Sequence, residues 1–150
     1  MGELSLLILQ PTPFCNIDCR YCYLPHRADT SQISDESLEA VFSNVFASQC
    51  LGKQLTIIWH AGEPLVVGIG FYEKAIALAR RLSPPGLQIR HALQTNGLLI
   101  NLKWIEFFRA HRFHVGVSLD GPKAIHDASR VFRDGAGSFD KAMAGVRQMQ

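Results

Sequence analysis

Apolar positions along this chain alternate between short runs and helical stripes. Leu4–Gln10 is a mostly apolar run, interrupted by Ser5 and closed by Pro11 and Pro13, which is the pattern of a buried strand. A helix is predicted from about Ser34 to Gln49. Ser34 suits an N-cap, Asp35 and Glu36 suit the first turn, and Leu38, Val41, Phe42, Val45 and Phe46 form one stripe, which Gly52 ends. Leu55–Trp59 reads as the second strand. Phe71–Leu82 reads as the second helix, stopped by Pro84-Pro85-Gly86. Leu87–Leu93 is the third strand, Leu102–His111 the third helix and His114–Leu119 the fourth strand. A polar, basic segment follows, and Gly137-Ser138 opens a fourth helix that is still running at Gln150.

This is strand-helix four times over, with most strands too apolar to have a wet face. Parallel strands joined by right-handed helical crossovers are the expected arrangement, an α/β fold of about four βα units. The polar motifs fall in one place. The cysteine-bearing loop after the first strand, Gly62-Glu63-Pro64, Thr95-Asn96-Gly97 and Ser118-Leu119-Asp120-Gly121 each lie at or just after a strand's C-terminal end. In α/β folds that edge is where binding and catalysis are built. Each motif alone has an ordinary explanation: Gly-Glu-Pro and Asp-Gly-Pro are good turns, and Asn-Gly is a hairpin signal. Asn96-Gly97, however, stands between a strand pattern and a helix pattern, and the shared edge points to one site.

Composition adds bounds. The chain is 47% hydrophobic and 19% charged, an ordinary globular balance, with a net charge of +2. That charge gives no reason to expect nucleic acid or a membrane surface as partner, and no apolar run reaches the length of a membrane span. Met1-Gly-Glu-Leu has neither the basic start nor the cleavage site of a secretory signal, so unpaired cysteines point to a reducing cytoplasm.

The chemistry centres on Cys15-Asn16-Ile17-Asp18-Cys19-Arg20-Tyr21-Cys22, a C-x3-C-x2-C loop. Three of the chain's four cysteines lie in these eight residues, which fits a disulfide framework poorly. Thiolates are soft ligands that select zinc or iron–sulfur clusters. Zinc would need a fourth ligand, from His26 or Cys50, and would make the chain a non-catalytic metal-binding module. A [4Fe–4S] cluster held by only three cysteines would leave one iron open to a substrate or cofactor.

The ordered set of motifs resembles the radical S-adenosylmethionine (SAM) enzymes. Cys15-Asn-x-x-Cys19-x-Tyr21-Cys22-Tyr, Trp59-His-Ala-Gly-Glu-Pro64, Gln94-Thr-Asn-Gly97 and Ser118-Leu-Asp-Gly-Pro122 carry the likeness, with His126-Asp127, Arg130 and Gly137-Ser138-Phe139 after them. The match is closest to the SPASM-type branch, which includes anaerobic sulfatase-maturating enzymes and enzymes that cross-link ribosomal peptides. It covers about residues 4–150. The resemblance implies a partial TIM-like barrel, with four of the βα units of a six-strand core. It also implies a [4Fe–4S] cluster on Cys15, Cys19 and Cys22, and SAM cleaved reductively to a 5′-deoxyadenosyl radical. The partners implied are a peptide or protein substrate and an electron donor such as flavodoxin or ferredoxin.

By the same resemblance, Tyr21 lies along the adenine of SAM, Gly62 permits close backbone approach, and Glu63 accepts from the SAM ammonium. Ser118 and Asp120 contact the ribose and methionine part, Arg130 pairs the carboxylate, and Asn96 and Gln94 line the pocket. Ala61 departs from the family's Gly-Gly-Glu-Pro, and a methyl there requires φ below zero. Cys50, which follows the first helix, is expected at the opposite end of the sheet from the cysteine loop. His60, His91, His111, His114 and His126 are read as structural. A complete α/β barrel takes about 250 residues. Residues 1–150 are therefore expected to be the N-terminal part of the core domain, with the general base and substrate-side strands beyond Gln150.

Overall fold

A computed structural model describes residues 2–150. Four strands, β1 (Leu4–Leu9), β2 (Leu51–Trp59), β3 (Gln88–Thr95) and β4 (His114–Val117), form one parallel sheet in the order β1-β2-β3-β4. Between them run α1 (Asp35–Phe46), α2 (Ile69–Leu82) and α3 (Leu102–Ala110), with a 3₁₀ turn at Pro64–Val67. After β4 come α4 (Lys123–Ser129) and α5 (Phe139–Met149). Strand order that follows chain order, with crossovers of one hand, puts the crossover helices α1, α2 and α3 on the same face of the sheet. That is a barrel segment and not a doubly wound sheet. The fold is the partial TIM-like α/β fold expected.

Pairing brings Leu9, Trp59, Leu93 and Val115 into one row on the helix-covered face. On this face Leu55, Ile57 and Trp59 are fully buried. Leu38, Phe42 and Phe46 of α1, Tyr72 and Ile76 of α2, and Trp104 and Phe108 of α3 close over them. The opposite face is another matter. Leu6 is 46% and Ile8 59% exposed, so the expectation of strands without a wet face holds on one side only. The reason is topological: one-sided helices leave the concave face for a barrel interior.

Element ends shift where tertiary pairing overrides local pattern. Ser34 caps α1 as expected, accepting from Ser37 N, but α1 stops at Phe46, and β2 starts at Leu51, because Leu51 pairs with Leu4. Gly52 thus sits inside a strand. Strand β4 ends at Val117, short of Leu119. Helix α4 lies in the segment read as polar and irregular; its one buried residue is His126, so it presents no apolar stripe. Cys50 is at the start of the sheet, its carbonyl accepting from Leu4 N at 2.7 Å, opposite to the cysteine loop as expected.

The backbone after β2 corrects one expectation. Ala61 has φ +74°, not a negative value, and Gly62 follows at +62°. A side chain in the left-handed region is strained by roughly 1–2 kcal/mol. Ala61→Gly should therefore raise stability by about 1 kcal/mol, which a thermal or denaturant melt reads directly. A lower melting point would show that the Ala61 methyl packs favourably enough to outweigh its strain.

His91 is buried on the helix-covered face between aromatic rings, stacked on Phe113 at 5.1 Å, and its Nδ1 accepts from Trp59 Nε1 at 3.4 Å. Burial, helped by Arg80 and His111, pulls its pKa down to about 4. A histidine with a depressed folded pKa is neutral in the fold and takes up a proton on unfolding. Its contribution is complete above the unfolded value near 6.5 and is lost as pH falls towards 4. On the order of 3 kcal/mol is involved. His91→Phe should flatten the stability profile in that window, as followed by urea melts; an unchanged acid slope would refute the assignment.

Candidate functional site

At the C-terminal edge of the sheet a cavity of about 220 Å³ is lined by Cys15, Cys19, Cys22, Tyr21, Gly62, Glu63, Asn96, Ser118 and Arg130, among others. Every residue predicted for the site from the sequence is there except Asp120, which stands behind it. A larger cavity of about 710 Å³ lies at the other end of β3 and β4, among Arg80, Arg90 and Arg112, away from the cysteines.

The cysteine loop is held from three sides. Ile17 is 1% exposed and packs with Leu98 and Ala142, anchoring the loop to the α3 and α5 side. Arg27 pairs with Asp18 at 2.8 Å and donates to the Cys19 carbonyl, while Arg133 Nη2 donates to the carbonyls of Cys15 and Arg27. On the third side Asp18 N donates to Val131 O and Arg20 N to Ser129 O. Neither Arg27 nor Arg133 stands out in the sequence; only the basic character of the segment after the fourth strand hints at Arg133.

Burial raises the thiol of Cys15 to about 11, with Glu63 and the other two cysteines adding to the effect. Burial also raises Cys19, against the pull of Arg130. Burial thus favours the protonated form of Cys15 and Cys19, and a metal group must displace those protons. Cys15, Cys19 and Cys22, from one loop, all line this one cavity, and three thiols are soft ligands of the kind that hold an iron–sulfur cluster.

Glu63 is 1% exposed and its carboxylate is met by three protein donors. Oε1 accepts from Leu65 N at 3.0 Å and from the Thr95 hydroxyl at 2.7 Å, and Oε2 accepts from Asn96 N at 2.8 Å. Its own N–H donates to Phe14 O at 2.7 Å. Gly62 is required by the same approach: a Cβ there would stand 2.3 Å from Thr12 O and 2.7 Å from Phe14 O. The close approach that needs glycine is thus to the segment entering the cysteine loop. Asn96 extends the tie, with Nδ2 donating to Asn16 Oδ1 at 2.7 Å and lying 4.0 Å from Cys15 Sγ.

The far wall is built by β3 and β4. Gln94 Nε2 donates to Ser118 Oγ at 2.8 Å, passing over Gly116, where any Cβ would meet Gln94 Oε1 at 2.2 Å. Asp120 accepts from the Tyr21 hydroxyl and from Arg130 Nε, both at 2.8 Å. These bonds, against some burial, hold Asp120 below the usual carboxylate range. Arg130 lies over the Tyr21 ring at 5.4 Å, with Nη1 4.0 Å from Cys19 Sγ. A cation is thereby fixed beside the cysteines.

Among the described residues no helix is long and apolar enough to cross a membrane. Residues 9–150 match the radical SAM superfamily. A serine-type anaerobic sulfatase-maturating enzyme of Klebsiella aerogenes is 38% identical over 143 residues, which is 93% of this chain and 35% of the relative. A cysteine-type anaerobic sulfatase-maturating enzyme of Clostridium novyi is 33% identical over 153 residues, covering 98% of this chain and 40% of the relative. The solved structure of native anSMEcpe with bound AdoMet and Kp18Cys peptide superposes with a TM-score of 0.86 at 33% identity, over 98% of this chain and 40% of that one. The chain thus spans 35–40% of the length of these relatives. Matched from Leu9 to Gln150 and folded as its solved relative is over that span, the chain belongs to the radical SAM superfamily.

Proposed function

We propose that Cys15, Cys19 and Cys22 hold a [4Fe–4S] cluster and that the cavity they share with Arg130 and Glu63 binds SAM. The observation that carries this reading is the convergence of three thiols from one loop on a cavity that also presents a fixed guanidinium. When bound, this pair of cofactors supplies one-electron cleavage of the sulfonium C–S bond, yielding methionine and a 5′-deoxyadenosyl radical that takes hydrogen from a substrate carbon.

The chain's own residues bind and orient. Arg130 has its Nε committed to Asp120, which leaves the Nη groups for a carboxylate such as that of SAM. Asp120 acts by holding Arg130 and the Tyr21 hydroxyl, so that the Tyr21 backbone can run along the adenine. Glu63 Oε2 takes one of the three protein bonds and keeps acceptor capacity for the SAM ammonium. Ser118 and Asn96 complete the wall.

The substrate is proposed to be a peptide or protein modified after synthesis, as in the sulfatase-maturating relatives, with an electron donor such as flavodoxin or ferredoxin, in the cytoplasm. Residues 1–150 are proposed to be the N-terminal part of a radical SAM core domain. Segments that the longer relatives possess complete the substrate side.

Anaerobic reconstitution tests the reading. About four iron and four sulfide per chain are expected, and each of Cys15→Ala, Cys19→Ala and Cys22→Ala should abolish the cluster absorbance. Cys50→Ala should leave it intact. One zinc and no sulfide in wild type would refute the proposal.

Glu63→Gln should retain the cluster but bind SAM roughly tenfold or more weakly, since a charge-assisted bond is worth about 1.5–3 kcal/mol. Equilibrium binding to the reconstituted chain measures this. Unchanged affinity would restrict Glu63 to tying the loops together.

A further inference from the structure

The residues His126, Asp127, Arg130 and Gly137-Ser138-Phe139 stand out in the sequence, yet the cavity takes only Arg130 from them. The others build something behind it. His126 is 1% and Ser138 0% exposed. Ser138 Oγ lies 2.8 Å from the Arg130 carbonyl, and His126 Nε2 lies 3.0 Å from the same Oγ. A carbonyl cannot donate, so the single hydroxyl proton of Ser138 goes to Arg130 O. His126 must then donate from Nε2, which fixes its neutral tautomer and leaves Nδ1 unprotonated. That nitrogen is buried with no hydrogen-bond partner among the described residues. The histidine is therefore held for the donor it presents to Ser138, not for the mutual satisfaction of its two nitrogens.

Ser138 supports the same point. It stands at the N-cap of α5, where a serine ordinarily accepts from the first-turn N–H groups, but its side chain makes no such bond. Asp127 Oδ1 takes Phe139 N at 2.9 Å in its place. Gly137 lets this happen, because a Cβ there would fall 2.2 Å from Asp127 Cγ. The serine is thus released from capping and turned on Arg130.

The segment it grips is the one that holds the cysteine loop. Ser129 O accepts from Arg20 N at 2.9 Å and Val131 O from Asp18 N at 2.7 Å, on either side of Cys19. Arg130 O, between them, goes to Ser138 through both Oγ and N–H. Arg130 turns the chain, with φ −92° and ψ 88°, between Ser129 at the end of α4 and the isolated bridge at Val131, so holding its carbonyl restrains the backbone that carries the two neighbouring carbonyls. We propose that His126 and Ser138 are positioning residues, a buried clasp that orients residues 129–131 and so sets Cys19 against the Arg130 guanidinium.

The clasp is tested first without any cofactor. In the metal-free chain, His126→Leu should speed hydrogen exchange of the Asp18 and Arg20 amides by about tenfold or more. Ser138→Ala, a smaller change, should do the same. His126→Gln, whose amide can donate in place of Nε2, should restore slow exchange. After reconstitution, His126→Leu should keep its iron content and bind SAM about tenfold more weakly; this arm rests on the function proposed above. Unchanged Asp18 and Arg20 exchange in both His126→Leu and Ser138→Ala would overturn the clasp. So would a fall in melting temperature with these amides unmoved, or equal loss in the Leu and Gln variants. A wild-type chain that binds no SAM refutes the functional reading, while the amide exchange still decides the clasp by itself.

Discussion

The site depends on one buried carboxylate. Glu63 enters the fold as a group whose charge is expensive to remove from water unless donors surround it. It finds them at Leu65 N, Thr95 Oγ1 and Asn96 N, which belong to the turn after β2 and the end of β3. Its own N–H is spent on Phe14 O, just before Cys15. One residue, through its carboxylate and its own N–H, thus joins three successive loops at the C-terminal edge of the sheet. Asn96 carries the connection onward to Asn16 in the cysteine loop. Removing one member leaves the others with unpaired buried polar groups, so the network rigidifies as a unit.

Around that tie the cation is placed by a second set of bonds. Arg130 is fixed by Asp120 at its Nε, by the Tyr21 ring beneath its guanidinium, and by Ser138 at its carbonyl. A mobile arginine would lose rotamer freedom on meeting an anion, whereas one already ordered does not. The helices contribute by covering one sheet face only. Their burial of Leu55, Ile57 and Trp59 supplies the stability, and the loops are left clear to converge on the opposite end of the strands from Cys50.

What the sequence determined by itself was the local grammar. Strand-helix alternation, the Ser34 cap, the C-x3-C-x2-C spacing and the placing of each polar motif after a strand are short-range properties, and all reappear in the structure. The one-sided sheet follows from strand order, which periodicity does not encode. Helix α4 was invisible because its single buried residue makes no stripe. Ala61 was expected at negative φ because a side chain prefers it; the docking of the Gly62-Glu63 backbone on Thr12 and Phe14 decided otherwise. Arg27, Arg133, His126 and Ser138 acquire their roles from partners distant in the chain, up to 118 residues away for Arg133 and Cys15. Spacing can announce a ligand set carried on one loop. Which donor meets which acceptor across separate loops is settled only when the sheet brings them together.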